Sequence, residues 1–219
     1  MSERPDPSAV PPATDPQADP TAFWDAKFAE EAPFYGTRPN AWLVDQAWRL
    51  DPGSAVLVPG DGEGRNGVWL AQQGHKVTTV DASPRGIQKA TRLAMERGVP
   101  LRTICADLRR WAWPEAAFDA VAAIYLHLRP EDRERAHRGM AAALKPGGHL
   151  ILEAFTPDQL PLSSGGPKNP AMLFTAERLR GDFEGMEIVE LAETTADLDE
   201  GPGHSGRAHI VRLVARRRG

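Results

Sequence analysis

Ala55-Val56-Leu57-Val58-Pro59-Gly60-Asp61-Gly62-Glu63-Gly64-Arg65-Asn66 is a short apolar run that breaks into a glycine-rich turn. Bounded by Pro52-Gly53 before it and Pro59-Gly60 at its end, the run reads as a parallel strand buried on both faces. The turn opens a helix through Val68-Trp69-Leu70-Ala71, which Gly74 ends. Glycines at such a turn let the backbone approach a ligand closely and adopt conformations that side chains resist. About 20 residues further on, Asp81 follows the second strand, Lys76 to Val80, where an acidic side chain can hold ribose hydroxyls.

Outward from this unit the alternation repeats. A helix from Ser83 to Arg97, closed by Gly98, leads to a strand from Leu101 to Cys105. Strand Phe118 to Ile124, helix Pro130 to Leu144, the turn Lys145-Pro146-Gly147-Gly148 and strand His149 to Ala154 follow. Strands alternating with helices specify an α/β fold, Rossmann-like and doubly wound, with a mostly parallel sheet. Thr156 to Met172 is rich in Pro, Gly and Ser and long for a plain connector, so it reads as a lid or binding loop. After a short helix from Thr175 to Asp182 come two strands, Met186 to Ala192 and Arg207 to Ala215. Only Gly201-Pro202-Gly203-His204-Ser205-Gly206 separates their ends, with no helix between, so they should pair antiparallel.

On the N-terminal side, residues 1–20 are rich in Pro, Asp and Ala and have almost nothing to bury. They read as a disordered leader, and residues 21–219 as a single domain. Phe23, Trp24, Phe28, Phe34 and Tyr35 begin the aromatic mass, and a helix from about Asn40 puts Trp42, Leu43, Ala47 and Trp48 roughly on one face.

The composition narrows the function. A net charge of -4 and a pI near 5.9 give no electrostatic reason to expect nucleic acid or an anionic membrane as partner. The Arg216-Arg217-Arg218 run reads as a solvated tail. No window approaches bilayer-spanning length, and the single cysteine, Cys105, excludes an internal disulfide and suits the cytoplasm. At the end of its strand, Cys105 reads as a small buried hydrophobe. Only His204 and His209 among the histidines lie close together, and no cysteine pair joins them, so no metal site is expected.

Glycine spacing selects the cofactor. A dinucleotide fingerprint needs a third glycine three residues after the second, and that position is the bulky, charged Arg65. This disfavours an NAD-linked oxidoreductase, whereas the G-x-G-x-G turn at Gly60, Gly62 and Gly64 suits the amino-acid end of a nucleoside without phosphate.

On these residues the chain resembles the class I S-adenosylmethionine-dependent methyltransferases, and among them the small bacterial tellurite-resistance and thiopurine methyltransferase-like group. The likeness is carried by Val56 to Asn66, Val77 to Ser83, Ala106-Asp107-Leu108, Phe118-Asp119-Ala120-Val121 and Leu144-Lys145-Pro146-Gly147-Gly148, with Glu200-Gly201, His204 and Gly206 near the end. It implies a seven-stranded sheet of order 3-2-1-4-5-7-6 with strand 7 antiparallel. It also implies that Gly60, Gly62 and Gly64 shape the bed of the methionine moiety, with Asn66 in the cofactor-binding set. Asp81 would hold the ribose and Ala82 pack beside the adenine. Asp107 would accept from the adenine amino group, with Leu108 at the ring, while Ala123, Ile124 and Tyr125 lie beneath the sulfonium. Many relatives carry an acid two positions before the first glycine; here that position is Val58, which leaves Asp61 or Glu63 as substitutes.

The implied activity is in-line methyl transfer to a small-molecule acceptor, with a lean towards a thiol or another soft nucleophile. The competing class is a non-catalytic S-adenosylmethionine-binding domain. Candidate catalytic residues are His127, just past strand four, as a base, and Tyr35, whose ring face favours a sulfonium. His127 alternatively satisfies its own hydrogen bonds on the way to the next helix. His204 stands between reaching the acceptor pocket and organising its loop.

Overall fold

A computed structural model describes residues 19–219. The leader therefore lies outside the described residues, apart from Asp19 and Pro20. Asp19 caps helix α1 (Pro20–Lys27) by accepting from the Ala22 amide at 3.0 Å, and Pro20 occupies the first turn, where a missing N–H is harmless.

The remaining elements are α2 (Ala41–Gln46), β1 (Ala55–Pro59), α3 (Arg65–Gln72), β2 (Lys76–Asp81), α4 (Pro84–Glu96), β3 (Arg102–Cys105) and β4 (Phe118–Ile124). After them come α5 (Pro130–Ala143), β5 (Leu144–Phe155), α6 (Ala176–Asp182), β6 (Glu187–Asp199) and β7 (Ser205–Arg216). The seven strands form one sheet of order β3-β2-β1-β4-β5-β7-β6, with β7 antiparallel to both its neighbours. The resemblance implies this order, and the alternating pattern implies its mostly parallel strands.

Because successive strand residues face opposite sides, β1 splits its apolar run between two cores. Val56 and Val58 join Leu70 of α3 and Leu43 of α2 on one face, while Leu57 joins Met140 of α5 and Leu179 of α6 on the other. Val121 and Ala123 of β4 lie in the second core; Ala120, Ala122 and Ile124 lie in the first. Each fully buried Leu, Ile or Val contributes roughly 1.5–3 kcal/mol. The strand order reverses between β1 and β4, and the crevice at their C-terminal ends is where an open α/β sheet binds ligands.

Four readings change. Cys105 is exposed, because β3 is an edge strand covered on one side only. Helix α2 stops at Gln46 and a 3₁₀ turn, Ala47–Arg49, leaves Trp48 74% exposed beneath the Arg49 guanidinium. β6 and β7 extend further than their apolar cores suggest, pairing from Glu187↔Arg216 to Asp199↔Ser205, so the glycine-rich segment is a tight hairpin tip. Arg217, assigned to a solvated tail, donates to the Ala142 carbonyl at 2.8 Å and anchors the chain end to α5.

Candidate active site

The turn after β1 is shaped by backbone demands that only glycine meets cheaply. Gly60 has φ +69° and donates to the Val80 carbonyl at 2.7 Å, while Gly62 has φ +57° and donates to Asp81 Oδ2 at 2.8 Å. Gly64 has a different function. A Cβ there would stand 2.5 Å from that of Ala90, so Gly64 lets α4 pack against the start of α3 and does not border the cavity.

That cavity, of about 360 Å³, lies over the C-terminal ends of β1, β2 and β4. Gly60, Gly62, Asn66, Asp81, Ala82, Asp107, Leu108 and Ile124 border it, as do Tyr35 and His127. Ala123 does not: it is 1% exposed and points into the α5 core, because strand alternation turns it away from its neighbour Ile124.

Asp81 is held ready. Its carboxylate accepts from the amides of Gly62 (2.8 Å) and Ser83 (2.9 Å), and a carboxylate with about four acceptor sites retains room for a diol. Burial raises its pKa against these bonds. Asp107 is less open, since Arg109 clamps it through Nε at 3.0 Å and through a terminal nitrogen at 2.8 Å. Burial works to raise the Asp107 carboxyl, but Arg109 outweighs it and holds the group below the usual range. Asn66 Oδ1 is engaged by the Asn40 amide at 2.9 Å.

Neither proposed substitute for the missing acid is free. Asp61 caps α3 by accepting from the Gly67 amide at 3.1 Å, and takes the Thr79 hydroxyl at 2.9 Å. Burial raises its carboxyl to about 7. Glu63 ties the aromatic segment to α4, accepting from the Phe34 amide at 2.7 Å and pairing with Lys89 at 2.6 Å.

Both ring nitrogens of His127 meet backbone groups, as the second of its two readings has it. Nδ1 lies 2.8 Å from the Met172 carbonyl and Nε2 accepts from the Phe155 amide at 3.2 Å, so a neutral ring carries its proton on Nδ1 and has no lone pair to offer. Burial first, and nearby His204 and His137 after it, lower its pKa to about 4. The Thr156–Met172 segment is pinned in the same manner: Gln159 accepts from the His209 amide at 2.9 Å, and Ser164 donates to the Arg207 carbonyl at 2.6 Å.

A buried polar network that sequence reasoning missed lies behind Arg65, Tyr125 and His204, which border the cavity. The Asn40 side-chain amide donates to Glu153 at 2.7 Å and to Glu200 at 2.9 Å, joining a carboxylate of β5 to one in the β6–β7 hairpin tip. Glu153 also accepts from the Tyr125 hydroxyl and from Arg212, each at 2.7 Å. Glu200 accepts from Arg65 at 2.8 Å, which explains the arginine in the third-glycine position. Burial would raise the Glu200 carboxyl, but His204 and Arg65 hold it down to about 2. One signal was visible: Glu153 is a lone charge in the apolar strand Leu150-Ile151-Leu152-Glu153-Ala154-Phe155. Tyr125, at the end of β4, has φ +53°, a conformation costly for an aromatic residue and characteristic of functional sites. Its ring stacks on Phe155 at 4.6 Å and meets His204 at 4.4 Å.

Three comparisons bear on this geometry. A family model described as a methyltransferase domain matches residues 56–148, the stretch from β1 through the start of β5 that frames the crevice. The chain belongs to the class I S-adenosylmethionine-dependent methyltransferases. The thiopurine S-methyltransferase of Pseudomonas entomophila is 28% identical over 217 residues, covering 89% of this chain and 96% of that one. The 2-heptyl-1-hydroxyquinolin-4(1H)-one methyltransferase of Mycobacteroides abscessus is 30% identical over 115 residues, and the match spans about half of each chain, 51%. A structure solved in work on converting a disulfide bond into a thioacetal group during echinomycin biosynthesis has the same fold, with TM-score 0.72, 23% identity and coverage of 90% and 92%.

S-adenosylmethionine is the cofactor of this methyltransferase, and the cavity fits it. Asp81, 7% exposed and backed by two amides, borders the cavity together with the side-chain-free Gly60 and Gly62. Among the described residues, no group of three or more His, Cys, Asp or Glu could hold a metal, and no helix is long and apolar enough to cross a membrane.

Proposed function

We propose that this methyltransferase acts on a small, flat, largely apolar molecule through a soft or readily ionised nucleophile, a thiol foremost. The supporting observation is the mixed lining of the cavity. It joins the glycine turn and Asp81 to the rings of Phe23, Trp24, Phe34 and Tyr35, with the Lys27 ammonium 4.6 Å from the Phe34 ring centroid. Burial lowers the Lys27 pKa. Two relatives take their names from a thiopurine and a hydroxyquinolinone, ring compounds bearing sulfur or oxygen, which supports a flat acceptor here.

In this reading the Gly60 and Gly62 backbone cradles the methionine moiety, Asp81 binds the ribose, and Ala82 and Leu108 flank the adenine. Asp107 takes the adenine amino group only by sharing its carboxylate with Arg109. Ile124 and Tyr125 lie under the sulfonium, and Tyr35 faces it across the cavity. The cofactor supplies a methyl group already activated on sulfur. The chain aligns the nucleophile and excludes water, and alignment alone is worth about 7–11 kcal/mol in favourable cases. A net charge of -4 and a pI near 5.9 support a small molecule over a nucleic acid. A reducing compartment such as the cytoplasm suits a chain whose one thiol, Cys105, is exposed.

Calorimetric titration with S-adenosylmethionine, S-adenosylhomocysteine and NAD tests the assignment. Saturable binding of the first two is expected, roughly 10–100-fold weaker in Asp81→Ala because hydrogen bonds to a charged group are lost. Equal affinity in wild type and variant would remove Asp81 from the site. Product formation with a thiol panel then tests the acceptor class.

A further inference from the structure

Outside the groups already assigned, one side chain in the cavity has an unexplained arrangement. His204 is 5% exposed, borders the cavity, and sits among the rings of Tyr35 (4.5 Å), Tyr125 (4.4 Å) and Phe155 (5.3 Å). Its Nδ1 is buried without a hydrogen-bond partner, standing 3.5 Å from Glu200 Oε2, and its Nε2 bonds to none of the described residues. A buried imidazole without partners costs stability unless something that binds there completes it.

We propose that His204 is the base that takes the acceptor's proton on Nε2, with Glu200 as the positioning residue behind Nδ1. The inference rests on the methyltransferase reading and deepens it, because it selects acceptors with an ionisable S–H or O–H. Glu200 is fixed for the task by Asn40 at 2.9 Å and Arg65 at 2.8 Å, so the hairpin tip has little freedom. The 3.5 Å gap is of the kind that tightens when a ligand loads the far nitrogen. The acceptor's proton passes to Nε2 and later to solvent. Its freed electron pair bonds to the methyl carbon as the carbon–sulfur bond breaks, and that bond's electron pair stays on sulfur.

The groups facing the imidazole are Glu200 from its own hairpin, Arg65 from α3, Lys27 from α1, Tyr35 from the segment after α1, Tyr125 from the end of β4, and His127 beyond it. Burial, opposed by Glu200 and assisted by Arg65 and Lys27, lowers the His204 pKa, so the ring is neutral and competent at neutral pH.

The test compares benzyl mercaptan with p-cresol as acceptors, in wild type, His204→Gln and Glu200→Gln. Without a base the rate follows the fraction of acceptor already ionised. With reference pKa values of about 8.5 for a thiol and about 10 for a phenol, His204→Gln should lose roughly 30-fold and roughly 1000-fold at pH 7. Both losses should shrink as pH approaches 9, and Glu200→Gln should show a weaker form of the same dependence. A loss equal for both acceptors and flat with pH would mark His204 as structural and overturn the proposal. Independently of turnover, nitrogen NMR of the wild-type imidazole should show a neutral ring protonated on Nδ1 from pH 7 to 9. A ring protonated on Nε2, or charged throughout, overturns it. Wild type that binds cofactor and methylates neither probe overturns the acceptor class above, while the NMR result still decides the base.

Discussion

Asp61 is the side chain whose ionisation should weigh most on stability. Its carboxyl titrates near 7 when folded, because burial outweighs the bonds from Thr79 and Gly67, against about 3.9 in an unfolded chain. Between those values the folded state binds more protons, so this contribution is full below about pH 4 and is lost as pH rises to 7. Thermal unfolding of Asp61→Asn should therefore vary less between pH 5 and 8 than that of wild type; parallel curves would refute the assignment. At Glu153 three donors converge on one buried carboxylate. Glu153→Ala leaves Arg212, Asn40 and Tyr125 without their acceptor and should cost about 3 kcal/mol, read as a lower Tm. Residue types at the glycine turn and at Asp81 could be read from the chain. The occupied nitrogens of His127 could not, because the Met172 and Phe155 backbone groups that satisfy them lie 45 and 28 residues away.

Among the elements, the β6–β7 hairpin carries the site's least foreseeable contribution. Its tip docks on the segment after α1: Gly203 donates to the Phe34 carbonyl at 3.1 Å, and a Cβ on Gly201 would stand 2.5 Å from the Gly36 nitrogen. Gly201 also holds φ +79°, so Gly201→Ala meets both a backbone clash and strain of about 1–3 kcal/mol. Faster amide exchange across residues 199–206 is expected, together with weaker acceptor binding; unchanged exchange would show that the tip docks by other means. Strand existence and antiparallel pairing followed from apolar runs and the short separation. Strand length did not, since only Ala196 and Leu198 are apolar between Thr194 and Asp199, and the stretch is held as strand by pairing with Ser205 through Ile210.

At the scale of the whole molecule, cofactor binding should appear as stability. A ligand that binds only the folded state adds about 2.7 kcal/mol at a hundredfold excess over Kd, and a chain of this size gains roughly 2–4 °C per kcal/mol. Saturating S-adenosylmethionine should thus raise Tm by roughly 5–10 °C, NAD should not, and Asp81→Ala should lose most of the gain. The sequence by itself determined the alternating strands and helices of a mostly parallel sheet and the glycine turn and strand-end carboxylate that mark the crevice, because periodicity and turn geometry act through neighbours in the chain; the sheet order and the cofactor followed from the family resemblance. Tertiary structure alone decided that Gly64 and Ala123 face away from the cavity. It also decided that Arg65 meets Glu200 across 135 residues and that Asn40 bridges two distant carboxylates. Those contacts depend on which buried polar groups must find partners once water is excluded, and only the closed fold fixes that pairing.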